Sequence, residues 1–164
     1  MSLHLTIHSR QSTRGVEVTL LRRIAKDLFA GLPQVQAAEL GICLVAAPEM
    51  SRINEAFLQH AGSTDVITFN YSEPATRNSE AAPHLQGEIF ICVDEAVAQA
   101  RCFRTTWQSE LVRYLVHGVL HLLGHDDQAA VDRRKMKRVE NRLVKVLTAR
   151  FALSRLARQP RLRS

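Results

Sequence analysis

The chain has 164 residues, 46% of them hydrophobic and 23% charged, and carries a formal net charge of +6 at neutral pH. That length suits one domain with a genuine core, and with no apolar run of about 18 residues nothing in it reads as a membrane span. The opening Met1-Ser2-Leu3-His4-Leu5-Thr6 lacks the apolar stretch of a signal peptide, so a cytoplasmic location without membrane contact is expected.

The charge is unevenly placed. Residues Arg133 to Ser164 hold twelve Lys and Arg against one acidic group, Glu140, and the rest of the chain holds ten basic and fifteen acidic groups. A basic C-terminal stretch on a mildly acidic body points to a polyanion, with RNA the foremost candidate. The three cysteines are Cys43, Cys92 and Cys102. They are odd in number and lack metal-motif spacing, so buried free thiols are expected rather than a disulfide framework.

In chain order, Leu3, Leu5 and Ile7 alternate with polar neighbours as in a half-buried strand. Val16 to Ala30 reads as a helix with Leu20 or Leu21, Ile24, Leu28 and Phe29 on its apolar stripe, stopped by Gly31 and Pro33. Ala38 to Ala47 reads as a second strand. Pro48 opens a helix through about His60, with Ile53 and Phe57 facing inward. Val66 to Tyr71 is β-branched and aromatic, a third strand. Ser72 to Leu85 reads as a surface loop and Gly87 to Val93 as a fourth strand. Asp94 is expected to cap the next helix. Thr105 and Gln108 form a capping-box pattern before an apolar helix of Leu111, Val112, Leu115 and Val116. A long amphipathic helix from Ala129 to about Leu153 carries Val131, Met136, Val139, Leu143, Val146 and Leu147. The expected organisation is one α+β domain over 1–153, a roughly four-stranded mixed sheet packed with helices, and a frayed basic tail over 154–164.

The chemistry concentrates in His117-Gly118-Val119-Leu120-His121-Leu122-Leu123-Gly124-His125-Asp126-Asp127. On a helix, His117 and His121 project from one face a turn apart, the spacing by which two imidazoles grip one metal. Were the helix to continue, His125 would lie about 12 Å along the axis from His117. Gly124 allows the chain to turn back. Asp127 then has the slack to return over the metal and is the expected third ligand, with His125, closer to the turn, as its competitor.

This stretch, read with three others, resembles the YbeY family of bacterial metal-dependent endoribonucleases, whose motif runs H-G-x-L-H-L-x-G-[YH]-D-H. Thr64-Asp65-Val66-Ile67-Thr68-Phe69 is similar to that family's T-D-V-[LI]-[ST]-F strand, Asn54 stands ten residues before it, and Gly87-Glu88-Ile89 matches its G-[DE]-I opening. Met136 and Glu140 also occupy family positions. The resemblance implies a zincin-like metal helix, one Zn2+ per chain, single-stranded RNA as substrate, and a role in rRNA maturation at the small-subunit 3′ end and in ribosome quality control. Ribosome or small-subunit assembly components are the implied partners, with His125 and Asp65 as candidate proton relays.

Two residues depart from the family pattern. Asp127 stands where the third ligand is normally His, and a carboxylate oxygen is a competent zinc ligand. Leu58 stands where the family usually has an Arg, four residues after the Asn, that is implicated in RNA cleavage. Two other readings compete. A metalloprotease would place a Glu directly after the first His, where this chain has Gly118. A non-catalytic assembly factor, with a metal that only organises the fold, is the reading that Leu58 favours.

Overall fold

Alternating burial in the first strand sets the architecture. In β1 (Ser2–Arg10), Leu5 and Ile7 are buried while their neighbours face solvent. The computed structural model describes residues 1–73 and 84–159. After β1 come α1 (Val18–Ala30), β2 (Ala37–Val45), α2 (Ala47–Leu58), β3 (Val66–Asn70), β4 (His84–Cys92), α3 (Val93–Phe103), α4 (Trp107–Leu122) and α5 (Ala130–Arg150), then a short 3₁₀ turn over Leu153–Leu156.

The sheet order is β1-β2-β4-β3. β1, β2 and β4 run parallel, and β3 lies antiparallel on the outer edge of β4. The fold is thus the expected single α+β domain with a four-stranded mixed sheet. Leu40, Ile42, Leu44, Ile89 and Ile91 point to one face, where α1, α4 and α5 complete the main core. The opposite face is covered by α2 over only part of its area, through Val45, Met50, Ile67 and Cys92. Among the described residues no helix is long and apolar enough to cross a membrane.

Several expected details shift, each for a local reason. β4 begins at His84, inside the expected loop, because Leu85 pairs with Ala38 and is buried. The rest of that loop, 74–83, lies outside the described residues. Asp94 caps α2 rather than its own helix: its Oδ2 accepts the Ala47 amide at 2.6 Å and its Oδ1 the Thr13 hydroxyl at 2.6 Å, tying two crossovers together. Thr106, not Thr105, caps α4, accepting the Ser109 amide at 3.2 Å, while the Thr105 hydroxyl donates to Glu110. Phe57 is 67% exposed, stacked edge-on against Phe69 rather than buried. Cys102 is exposed, whereas Cys92 is buried as expected and Cys43 is half-buried.

α5 buries Met136, Glu140, Leu143, Val144 and Leu147, leaving Val131 and Val146 exposed. The buried stripe passes through an acidic residue, which an apolar pattern skips. The expected tail is also shorter. Leu156 is fully buried, Val16 bridges Ala157, and the Arg158 amide donates to the Gly15 carbonyl at 2.9 Å. Apolar burial thus draws residues expected in the tail into the packed fold, and 160–164 lie outside the described residues. Leu156→Ala should therefore cost about 2–5 kcal/mol, read as a lowered midpoint in denaturant unfolding with an unchanged slope.

Candidate metal centre

α4 is apolar on nearly every side, with Leu111, Val112, Leu115, Val116, Val119 and Leu120 all buried. Helices of this kind sit in the middle of a domain. Its close seat on the sheet depends on Gly118: a Cβ there would meet Ile89 Cγ2 at 2.8 Å and Val66 Cγ1 at 3.3 Å. Gly87 does the same from the sheet side, where a Cβ would lie 2.6 Å from the Phe69 carbonyl and 3.0 Å from Leu122. The residue after the first histidine therefore packs on the sheet, leaving no room for the Glu of a zinc peptidase.

The helix ends in a Schellman turn. The Gly124 amide donates to the His121 carbonyl and the His125 amide to the Leu120 carbonyl, both at 3.0 Å, with Gly124 at φ 93°. Nothing lies within 4 Å of a Cβ at Gly124, so backbone conformation rather than space selects glycine there. The reversed chain returns Asp127 over the two imidazoles.

His117 Nε2, His121 Nε2 and Asp127 Oδ2 form a triangle with sides of 3.0, 3.7 and 3.6 Å. A point equidistant from the three lies about 2.0 Å from each, the length of zinc bonds to imidazole nitrogen and carboxylate oxygen. This is the only group of three or more potential metal-ligating side chains among the described residues. The His125 imidazole is not in it. His125 contributes its main chain, whose carbonyl accepts from His121 Nδ1 at 3.1 Å. Asp65 lines the adjoining cavity, with its Oδ1 accepting the Val66 amide at 2.8 Å.

The outer hydrogen bonds fix both tautomers. His117 Nδ1 donates to Glu140 Oε1 at 2.8 Å, as His121 Nδ1 does to the His125 carbonyl. Each Nε2 is thereby left as a lone pair aimed at the same point. Glu140 is only 3% exposed, and Arg113 and Lys137 reach its other oxygen at 2.7 and 3.0 Å. Burial alone would raise the pKa of its carboxyl. The hydrogen bonds from His117, Lys137 and Arg113 outweigh that and hold it at about 2. For His117, burial disfavours the charged form, but the hydrogen bond and charge of Glu140 prevail and raise its pKa above the usual value. The cluster opens on a cavity of about 550 Å³, lined also by Arg113, Arg133, Arg134 and Lys137.

Sequence reasoning assembled the three donors but missed the support given by Arg113 and Lys137 through Glu140. The available signal was Glu140 itself, the lone acid among twelve cations.

A mixed four-stranded sheet, a buried two-histidine helix and a carboxylate returned by a glycine turn define an α+β domain built around a three-donor centre. The endoribonuclease YbeY family model matches residues 6–148. The chain is 33% identical over 139 residues to the endoribonuclease YbeY of Chlorobium luteolum, covering 85% of this chain and 94% of that protein. It is 31% identical to that of Beutenbergia cavernae over 146 residues, 88% and 95% of the two chains. The solution structure of TM1509 from Thermotoga maritima shares the fold, with a TM-score of 0.62 over 98% of this chain and 99% of that one at 20% identity. The chain belongs to the endoribonuclease YbeY family.

Two outcomes follow for the centre. Asp127→Ala should lower bound metal, measured by elemental analysis after gel filtration, far more than His125→Ala, and a His117→Ala, His121→Ala double variant should carry none. Glu140→Gln should keep its volume but weaken metal binding by roughly 10- to 100-fold, measured by competition with a chromogenic chelator.

Proposed function

We propose that this chain is a single-strand-specific, metal-dependent endoribonuclease of the cytoplasm. Its action would lie in rRNA maturation, at the small-subunit 3′ end, and in ribosome quality control, with ribosome or small-subunit assembly components as partners. The observation that carries this reading is the donor triangle opening onto a cation-lined cavity, in a chain whose family is named for endoribonuclease activity.

His117, His121 and Asp127 would hold one zinc ion. When bound, zinc acidifies a coordinated water and polarises a phosphoryl oxygen. The protein's own residues do the rest. Glu140 and the His125 carbonyl keep both imidazoles in the ligating tautomer. Of the two candidate proton relays, Asp65 lines the cavity whereas His125 does not, which supports Asp65 in that role. Basic side chains of α5 would hold the RNA backbone without reading its bases.

The alternative is a metal-stabilised assembly factor without catalysis, and Leu58 is the observation that favours it. Leu58 is 43% exposed, so no packing requirement explains the loss of a cation there.

An assay on unstructured RNA separates the two. Purified protein should cleave it, stop in chelator and recover with added zinc. Leu58→Arg, at an exposed position, should leave the melting temperature unchanged and raise the rate at saturating RNA. Intact RNA with both proteins, each at full metal content, would leave only the assembly role.

A further inference from the structure

The cation expected at position 58 is missing, yet the cavity beside the donor triangle is not short of positive charge. Four cations line it, Arg113, Arg133, Arg134 and Lys137. Arg113 and Lys137 are both committed to Glu140. Among the described residues neither Arg133 nor Arg134 enters an ion pair. Arg133 differs from Arg134 in being anchored: its guanidinium donates to the main-chain carbonyl of Asp127 at 3.3 Å. One nitrogen is thus held beside the residue that carries the third donor atom, while the other guanidinium N–H groups make no hydrogen bond among the described residues.

Helix stability does not account for a cation at this place. Arg133, Arg134 and Lys135 follow directly on the first residues of α5, where the exposed amides carry partial positive charge and basic side chains are unfavourable. Position 133 also shares a helix face with Met136, Lys137 and Glu140, at spacings of three, four and seven, and all four line the cavity. α5 therefore presents a fixed guanidinium to the space next to the donor triangle. A guanidinium offers a planar pair of donors that matches two phosphate oxygens.

We propose that Arg133 is a catalytic residue that binds the non-bridging oxygens of the scissile phosphate and stabilises the negative charge growing there. The assignment rests on the endoribonuclease reading above. Hydrolysis adds water across the P–O bond; Arg133 stays protonated throughout and contributes only hydrogen bonds and charge. Arg52, the other arginine near the Asn54 segment, is not among the cavity-lining residues.

The test is steady-state cleavage of a fluorescent single-stranded RNA by the zinc-loaded full chain. Arg133→Gln should lower kcat by about 100-fold, the scale on which a positioned oxyanion donor acts, with KM changed less than threefold. Bound zinc and melting temperature should match wild type. Arg133→Lys should recover part of the loss, because charge returns without the planar pair. Lys26→Gln, an equal charge change at an exposed residue of α1 that does not line the cavity, should cleave at the wild-type rate. A wild-type kcat in Arg133→Gln would overturn the assignment, and so would a fall matched by lost zinc, which would reduce Arg133 to a brace for the Asp127 loop. An equal fall in Lys26→Gln would also overturn it, by reducing the effect to net charge. Wild-type protein that leaves RNA intact would sink the endoribonuclease reading and this inference together, whereas the former outcomes sink the inference alone.

Discussion

Two imidazole nitrogens 3.0 Å apart, each with the opposite ring nitrogen committed as a donor, demand a positive charge between them. With both Nδ1 atoms protonated toward Glu140 and the His125 carbonyl, the facing Nε2 atoms are lone pairs. Lone pairs repel at that distance unless a proton or a metal ion separates them. On the His117 side, the hydrogen bond and charge of Glu140 favour the cationic ring. That raised pKa has a definite sign. The His117–Glu140 ion pair adds stability in full below the ordinary histidine pKa and loses it as pH rises through the raised one. A metal ion held there would compete with protonation of His117, so its affinity would climb over the range in which the ion pair weakens.

The rest of the fold holds those two nitrogens in place. Gly118 lets α4 sit directly on Ile89 and Val66, and Gly87 clears the space for Leu122, so the helix is clamped against the sheet along its last two turns. On the opposite side Glu140, buried and ionised, ties His117 to α5 and draws in Arg113 and Lys137. Burying a carboxylate is costly unless it is paired and fully hydrogen-bonded. Three donors meet that condition here, and Glu140 in return fixes the orientation of a ligand. The Schellman turn supplies the last constraint, because the bonds that end α4 also bring the His125 carbonyl onto His121.

Much of this was legible in the residues, and the failures have physical causes. The four-residue histidine spacing and the glycine stop are local signals, and both the donor triangle and the part played by Gly124 could be read from them. Helix period and strand alternation located nine elements to within a few residues. What escaped were contacts between distant segments. Asp94 looks like the cap of its own helix and instead serves α2, since a carboxylate at a helix start can turn to whichever unpaired amide lies nearest. Phe57 fits an inward stripe, but the sheet face behind α2 is only partly covered, so the ring stays largely in solvent. Leu156 sits in an arginine-rich segment that reads as a tail, and only the packed structure reveals the space it fills.

The same limit applies to charge. Twelve basic residues after Asp132 suggest a broad polyanion surface, yet several are already engaged: Lys137 with Glu140, Arg150 with Asp27, Arg158 with Glu17. What matters to a phosphate is the charge left over near the donor triangle. Asp127 in place of a neutral imidazole would remove one unit of positive charge from the centre. Arg133 and Arg134 line the cavity beside the donor triangle and bring two positive charges to it. They sit at the start of α5, directly after the segment that delivers Asp127, so the third donor and the cations that offset its charge come from one short stretch of chain. A carboxylate donor would lower the pull of a bound ion on substrate oxygens, and a guanidinium held against that residue's own carbonyl would offset the loss.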